Sequence, residues 1–160
     1  MLTRRLLLTS SLTALAVATG LPRLVSAAET FAVTHTDAEW RQLLTPAAYE
    51  VLRHSDTERA GTSPLLSEHR RGVFACAGCD LDLFASSTKF ESGTGWPSFY
   101  APLDKAVGEV KDTTLGMVRI AVHCARCGGH LGHVFDDGPK PTGLRYCMNG
   151  VALKFKPTAA

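Results

Sequence analysis

Two Cys-x-x-Cys pairs constrain this chain more than any other feature. Cys76-Ala77-Gly78-Cys79 and Cys124-Ala125-Arg126-Cys127-Gly128-Gly129 each have the form of a metal knuckle. Two intervening residues let both sulfurs reach one ion, and small residues let the backbone turn so that its N–H groups can bond the thiolates. Together the pairs supply the four sulfurs of a closed tetrahedral site, with no open position for catalysis. Cys76, Cys79, Cys124 and Cys127 are therefore the expected ligands of one structural Zn2+. Residues 80–123 separate the pairs, a longer stretch than a compact zinc ribbon uses, so the metal would clamp two distant parts of a larger sheet. The competing reading is two short disulfides, which an exported protein can form. Cys147 is left over and needs its own explanation.

The 160 residues suffice for one domain with a real core. Among 17 basic and 15 acidic residues, Arg4, Arg5 and Arg23 are the only charges in the first 27. The remainder is thus one negative charge from neutrality and offers nothing to attract nucleic acid. Arg4 and Arg5 run into an apolar segment from Leu6 to Leu21, broken by Gly20 and Pro22. Val25-Ser26-Ala27 then presents the small side chains of a cleavage site. This reads as a signal peptide over 1–27 and a mature domain over 28–160, exported to the periplasm or secreted. The adjacent arginines suggest the twin-arginine route, and a Sec signal with two arginines is the alternative. Thr9, Ser10, Ser11, Thr13 and Thr19 interrupt the apolar stretch, which argues against a stable membrane anchor.

Residues 28–35 read as an extended linker. Thr36 and Glu39 form a capping box for a short helix to about Leu44, and Pro46 sits at the first position of a second helix ending near Arg53. Residues 54–70 are polar and should be irregular. Beyond Val73 the period changes to two: Val118, Ile120 and Val122 alternate with Met117, Arg119 and Ala121, and Val151, Leu153 and Phe155 with Ala152, Lys154 and Lys156. The expected fold is mainly antiparallel β with short N-terminal helices.

Cys147 lies in Arg145-Tyr146-Cys147-Met148-Asn149. On a strand Arg145 faces the same way as Cys147, and a nearby cation favours thiolate. A buried structural cysteine is the alternative. His130 and His133 could be metal ligands, general acids beside a nucleophile or simply structural, with Asp137 available to orient one of them. Trp96, in the glycine-rich loop Gly93-Thr94-Gly95-Trp96-Pro97, could wall a small apolar group or belong to the core.

Taken in order, the first Cys-x-x-Cys, Phe90-Glu91-Ser92-Gly93-Thr94-Gly95-Trp96-Pro97-Ser98-Phe99, the second Cys-x-x-Cys, Gly132-His133-Val134-Phe135-Asp136-Asp137-Gly138-Pro139 and Arg145–Asn149 resemble the B-type peptide-methionine (R)-S-oxide reductases over about residues 36–157. The resemblance implies a β-tent of two antiparallel sheets and a structural zinc remote from the active site. It implies Cys147 as nucleophile, His133 and His130 as groups that bind or protonate the sulfoxide oxygen, and Trp96 and Phe135 as substrate-binding residues. Arg145, Asp137 and Asn149 then support the site by hydrogen bonds and charge. The expected substrate is protein-bound methionine R-sulfoxide, as in repair of oxidative damage, and the expected reductant is thioredoxin-like. Many members carry a resolving cysteine where this chain has Thr94. A non-enzymatic zinc-ribbon binding module is the rival reading; it would leave Cys147, Trp96 and the histidines without a shared role.

Overall fold

The computed structural model describes residues 29–158; the expected signal peptide and its cleavage after Ala27 lie outside the described residues. Helices come first. Thr36 caps α1 (Asp37–Leu43): its hydroxyl accepts the Glu39 N–H at 3.3 Å, and the Glu39 carboxylate accepts the Thr36 N–H at 2.7 Å. Thr45 caps α2 (Pro46–His54), with Pro46 fixing the first φ where no N–H is needed. Neither helix is long enough to persist alone in water. Burial of Trp40, Leu44, Ala48, Tyr49, Val51 and Leu52 holds them in place. Arg53 lies over the Trp40 ring and donates to the Cys127 carbonyl, tying α2 to the second knuckle. No helix among the described residues is long and apolar enough to cross a membrane.

Nine strands follow among the described residues: β1 (Gly72–Cys76), β2 (Asp82–Ala85), β3 (Lys89–Phe90), β4 (Ser98–Phe99), β5 (Val107–Asp112), β6 (Arg119–Cys124), β7 (His130–Phe135), β8 (Arg145–Met148) and β9 (Leu153–Pro157). They form two sheets, ordered β2-β1-β9 and β3-β4-β8-β7-β6-β5. Every pairing is antiparallel, so the expected class, mainly β with short N-terminal helices, is the one found. Aromatic rings join the sheets. Phe74 and Phe84 of the small sheet meet Phe99 of the large one at ring-centroid distances of 4.9 and 4.4 Å. All three are fully buried, and each contributes about 2–3 kcal/mol relative to exposure.

Two strand expectations shift. β6 begins at Arg119, leaving Met117 and Val118 outside it and Val118 70% exposed. β9 begins at Leu153 because residues 150–152 form a 3-10 turn. The cause of that turn is Glu58, whose carboxylate accepts the N–H groups of Gly150 and Val151 at 2.6 and 3.1 Å. Glu58 comes from the segment expected to be irregular, which is indeed irregular apart from a 3-10 turn at Pro64–Ser67. The described part of the 28–35 linker has regular partners: Val33 N–H donates to Arg126 O at 3.0 Å, and Phe31 packs edge-on against His123.

Candidate active site and metal centre

The metal centre forms where β1 and β6 end. Cys76 closes β1 and Cys124 closes β6, while Cys79 and Cys127 lie in the turns that follow. All four sulfurs lie within 4.8 Å of one another. The pairs across the two knuckles are 3.7 Å (Cys76–Cys127) and 3.5 Å (Cys79–Cys124) apart. A tetrahedron with 2.3 Å metal–sulfur bonds needs sulfurs about 3.8 Å apart. The geometry therefore fits one ion held by four thiolates, and the knuckles converge as their spacing predicts. The Gly78 N–H points at Cys76 Sγ at 3.4 Å, as a thiolate requires.

At the opposite end of β6 the large sheet builds a second constellation. Cys147 on β8 is directly opposite His133 on β7, which is directly opposite Ala121 on β6. Cross-strand partners share a face, so these residues form one row, with Arg145 and Phe135 beside them on the same face. The row borders a pocket of about 200 Å³, lined by Trp96, His133, Phe135, Cys147 and Asn149 together with Thr57, Arg119 and Gly132. Gly132 is required here: a Cβ at that position would collide with the Cys147 carbonyl oxygen. Trp96 takes the wall position, half-buried, rather than a place in the core.

Arg145, His133 and Asn149 are each held by named partners. Arg145 donates two hydrogen bonds of 2.8 Å to the Asp137 carboxylate, its guanidinium lies 4.4 Å over the Phe135 ring, and it shares the strand face of Cys147 two residues on. Asp137 thus positions Arg145, and no histidine. The carboxylate that takes a histidine is Asp112, with Oδ2 2.8 Å from His133 Nε2. Hydrogen bonds from the Thr114 hydroxyl and N–H hold the Asp112 carboxyl well below the usual carboxylate range; His133 and Arg119 add to the effect. Asn149 is buried with both ends of its amide used: Nδ2 donates to Leu131 O at 3.1 Å, and Oδ1 accepts the Glu58 N–H at 2.9 Å.

His130 stands apart. It is buried behind His133, with ring centroids 5.3 Å apart, and does not line the pocket around Cys147. Burial first, and then the neighbouring His133, push its pKa down to about 4. It is neutral near pH 7.

Three contributors were not singled out from the sequence. Asp112 and Arg119 bracket an irregular turn, and only the β5–β6 register places both beside His133. Glu58 carries four bonds at once. Besides its contacts to Asn149, Gly150 and Val151, its carbonyl accepts the Trp96 indole N–H at 3.0 Å. A lone acid between polar residues gives no local sign of this; the acid-plus-Asn pairing across more than 90 residues is visible only in three dimensions.

A mainly β domain with a four-thiol clamp at one end of a sheet, and one cysteine facing an imidazole and an indole at the other, defines a thiol-dependent reductase class. Comparison with known proteins agrees. The SelR domain matches residues 44–157, and the chain belongs to that family. Among its relatives, the peptide methionine sulfoxide reductase MsrB of Pseudomonas putida (strain W619) is 56% identical over 126 residues, spanning 78% of this chain and 95% of the relative. The protein of the same name from Agrobacterium fabrum is 53% identical over 78% of this chain and 93% of its own length. The one from Thiobacillus denitrificans is 56% identical over 76% and 93%.

Proposed function

We infer that this chain reduces the R epimer of protein-bound methionine sulfoxide to methionine, with Cys147 as nucleophile. The observation that carries the reading is the row that sets Cys147 beside His133, with Trp96 walling the same pocket. Cys147 Sγ attacks the sulfoxide sulfur to form an S–S bond, the protonated oxygen leaves as hydroxide, and hydroxide then attacks Cys147 Sγ, breaking the S–S bond and leaving a sulfenic acid. One proton is taken up at the oxygen and methionine departs reduced. With His133 Nε2 on the ionised Asp112, Nδ1 is the ring nitrogen left to deliver that proton. Arg145 offers positive charge beside the thiolate. His130, neutral and behind His133, props the donor rather than supplying the proton. Trp96 and Phe135 give the methyl group apolar walls, which fixes the handedness of the bound sulfur.

An external thiol then attacks the sulfenic sulfur, releases water and leaves a mixed disulfide; a second thiol frees Cys147. A thioredoxin-like dithiol supplies both. Zinc is the ion that four thiolates in a closed set suit best, and Cys76, Cys79, Cys124 and Cys127 would hold it. Its contribution is to hold the ends of β1 and β6 together. We propose further that residues 1–27 direct export, so that domain 28–160 works in the periplasm or outside the cell. Replacing Arg4 and Arg5 by lysine should then trap the precursor if the twin-arginine machinery carries it; undiminished export would point to Sec.

The decisive assay offers both sulfoxide epimers to the wild type and to Cys147→Ser. Turnover of R alone, lost in the variant, is expected. Equal rates on both epimers, or activity in Cys147→Ser, would contradict the assignment.

A further inference from the structure

The pocket at Cys147, about 200 Å³, falls below the roughly 300–1,000 Å³ of cavities that take drug-sized ligands. It has room for one side chain, so the rest of a substrate polypeptide must lie elsewhere on the surface. A larger cleft of about 440 Å³ adjoins it, lined by Val118, Ile120, Val134 and Leu144 and sharing Arg119 and Phe135 with the Cys147 pocket. Val118 is 70% exposed and Ile120 36%. A single exposed apolar side chain needs no explanation; here Val118 and Ile120 are joined along one cleft by the half-buried Val134 and Leu144, next to the Cys147 pocket.

The register shows how the two sites connect. Ile120, Val134 and Tyr146 form a cross-strand row one residue out of step with Ala121, His133 and Cys147. The cleft is therefore on the other face of the sheet, at the end where β6 starts and β7 stops, and Phe135 stands at the corner between them. Passing that corner takes on the order of 10 Å, or about three to four extended residues. Methionine in folded proteins sits among apolar neighbours, so a chain that exposes an oxidised methionine exposes apolar residues with it.

We propose that this cleft docks an apolar side chain of the substrate polypeptide three to four residues away from the sulfoxide. This rests on the reading of Cys147 as a reductase of protein-bound sulfoxide. The cleft makes the enzyme selective for sulfoxides in apolar stretches of sequence. Its acidic residues, Glu109 and Asp136, are exposed and disfavour acidic flanks.

The test uses dithiothreitol as reductant and three substrates: N-acetylmethionine R-sulfoxide amide, a peptide with leucine three and four residues from the sulfoxide on both sides, and the same peptide with serine there. The wild type should prefer the leucine peptide by about ten-fold in kcat/KM, the value of burying part of one leucine. Val118→Asp should abolish that preference while leaving the serine peptide and the amide unchanged; Val118→Leu should keep it. Equal kcat/KM for both peptides in the wild type would overturn the proposal. So would an equal loss on all three substrates, or a wild-type dimer that Val118→Asp dissolves, since the cleft would then seat a second copy. Failure of the wild type to reduce even the amide would sink the reductase reading itself.

Discussion

Thr94 Oγ1 lies 3.8 Å from Cys147 Sγ, at the end of a hydroxyl chain that runs through Ser92 to the buried Ser98. A hydroxyl at that distance can hydrogen-bond sulfur but cannot form a disulfide with it. The other four cysteines converge elsewhere. One equivalent of methionine sulfoxide without reductant should therefore leave Cys147 as a sulfenic acid, seen as a mass gain of one oxygen and trapped by a sulfenic-acid reagent. Thr94→Cys should convert that product to an intrachain disulfide. A wild-type chain already disulfide-bonded at Cys147 after one turnover would refute this.

Asp112 fixes the imidazole that faces Cys147. Asp112→Asn keeps the shape but turns a charge-assisted hydrogen bond to His133 Nε2 into a neutral one. A loss in kcat of roughly a hundred-fold, the low end for removing an acid–base contribution, is expected, with KM changed little. An unchanged kcat would mean that Asp112 only braces the loop around Thr114.

Glu58 joins the Trp96 wall to the end of the nucleophile strand. Its carboxylate makes two hydrogen bonds to backbone N–H groups, each worth about 1.5–3 kcal/mol when one partner is charged. Glu58→Ala should lose a few kcal/mol in urea unfolding and raise KM, with Trp96 fluorescence shifted toward that of exposed indole. Glu58→Gln, which keeps one acceptor, should fall between.

Stability should depend on acid through His130. Its pKa lies near 4 in the fold, below the ordinary 6.5, so between those values the unfolded chain binds more protons. Stability then falls as pH drops from about 6.5 to about 4 and levels off below; roughly 2–3 kcal/mol is at stake. His130→Gln should flatten this part of the profile relative to wild type in parallel denaturant titrations. An identical pH slope in both proteins would place the titrating group elsewhere.

Removing one sulfur from the clamp should cost more than any of these changes. Structural zinc contributes about 10–16 kcal/mol of apparent binding free energy in small domains. Cys124→Ser should lose its metal by elemental analysis and unfold at a much lower temperature, with activity failing as a consequence. A metal-free wild type with full activity and unchanged Tm would end the zinc assignment.

The helices were legible because their signals are local: Thr36, Glu39 and Pro46 act within one turn of themselves. The knuckles were legible because four sulfurs at such spacing have few other uses. Cys147 and Arg145 came from alternation on a strand plus the resemblance, and Phe135 from the resemblance alone. What escaped depended on register. Asp137 stood nearest the histidines in sequence, yet the turn between β7 and β8 delivers it to Arg145, while Asp112 reaches His133 across two strand pairings. His130 and His133 look equivalent three residues apart, but a register shift between Val122 and His123 interrupts the β6–β7 ladder beside His130. The pattern at Val118 read as strand, whereas β6 starts one residue later and leaves that side chain in solvent.

The clasp of Glu58 on Gly150 and Val151 ties together distant parts of the chain. The residue that anchors the indole wall follows the N-terminal helices, and its partners lie more than 90 residues further along. Every cysteine of the clamp precedes Cys147 in the chain, so clamp and attacking thiol are drawn from separate stretches. A chain cut short after Asn149 would carry a complete clamp and a cysteine at its proper position, but its Glu58 would have no backbone to grip. Residues beyond Asn149 are thus needed to lock the Trp96 wall to the nucleophile strand, although none of them lines the pocket.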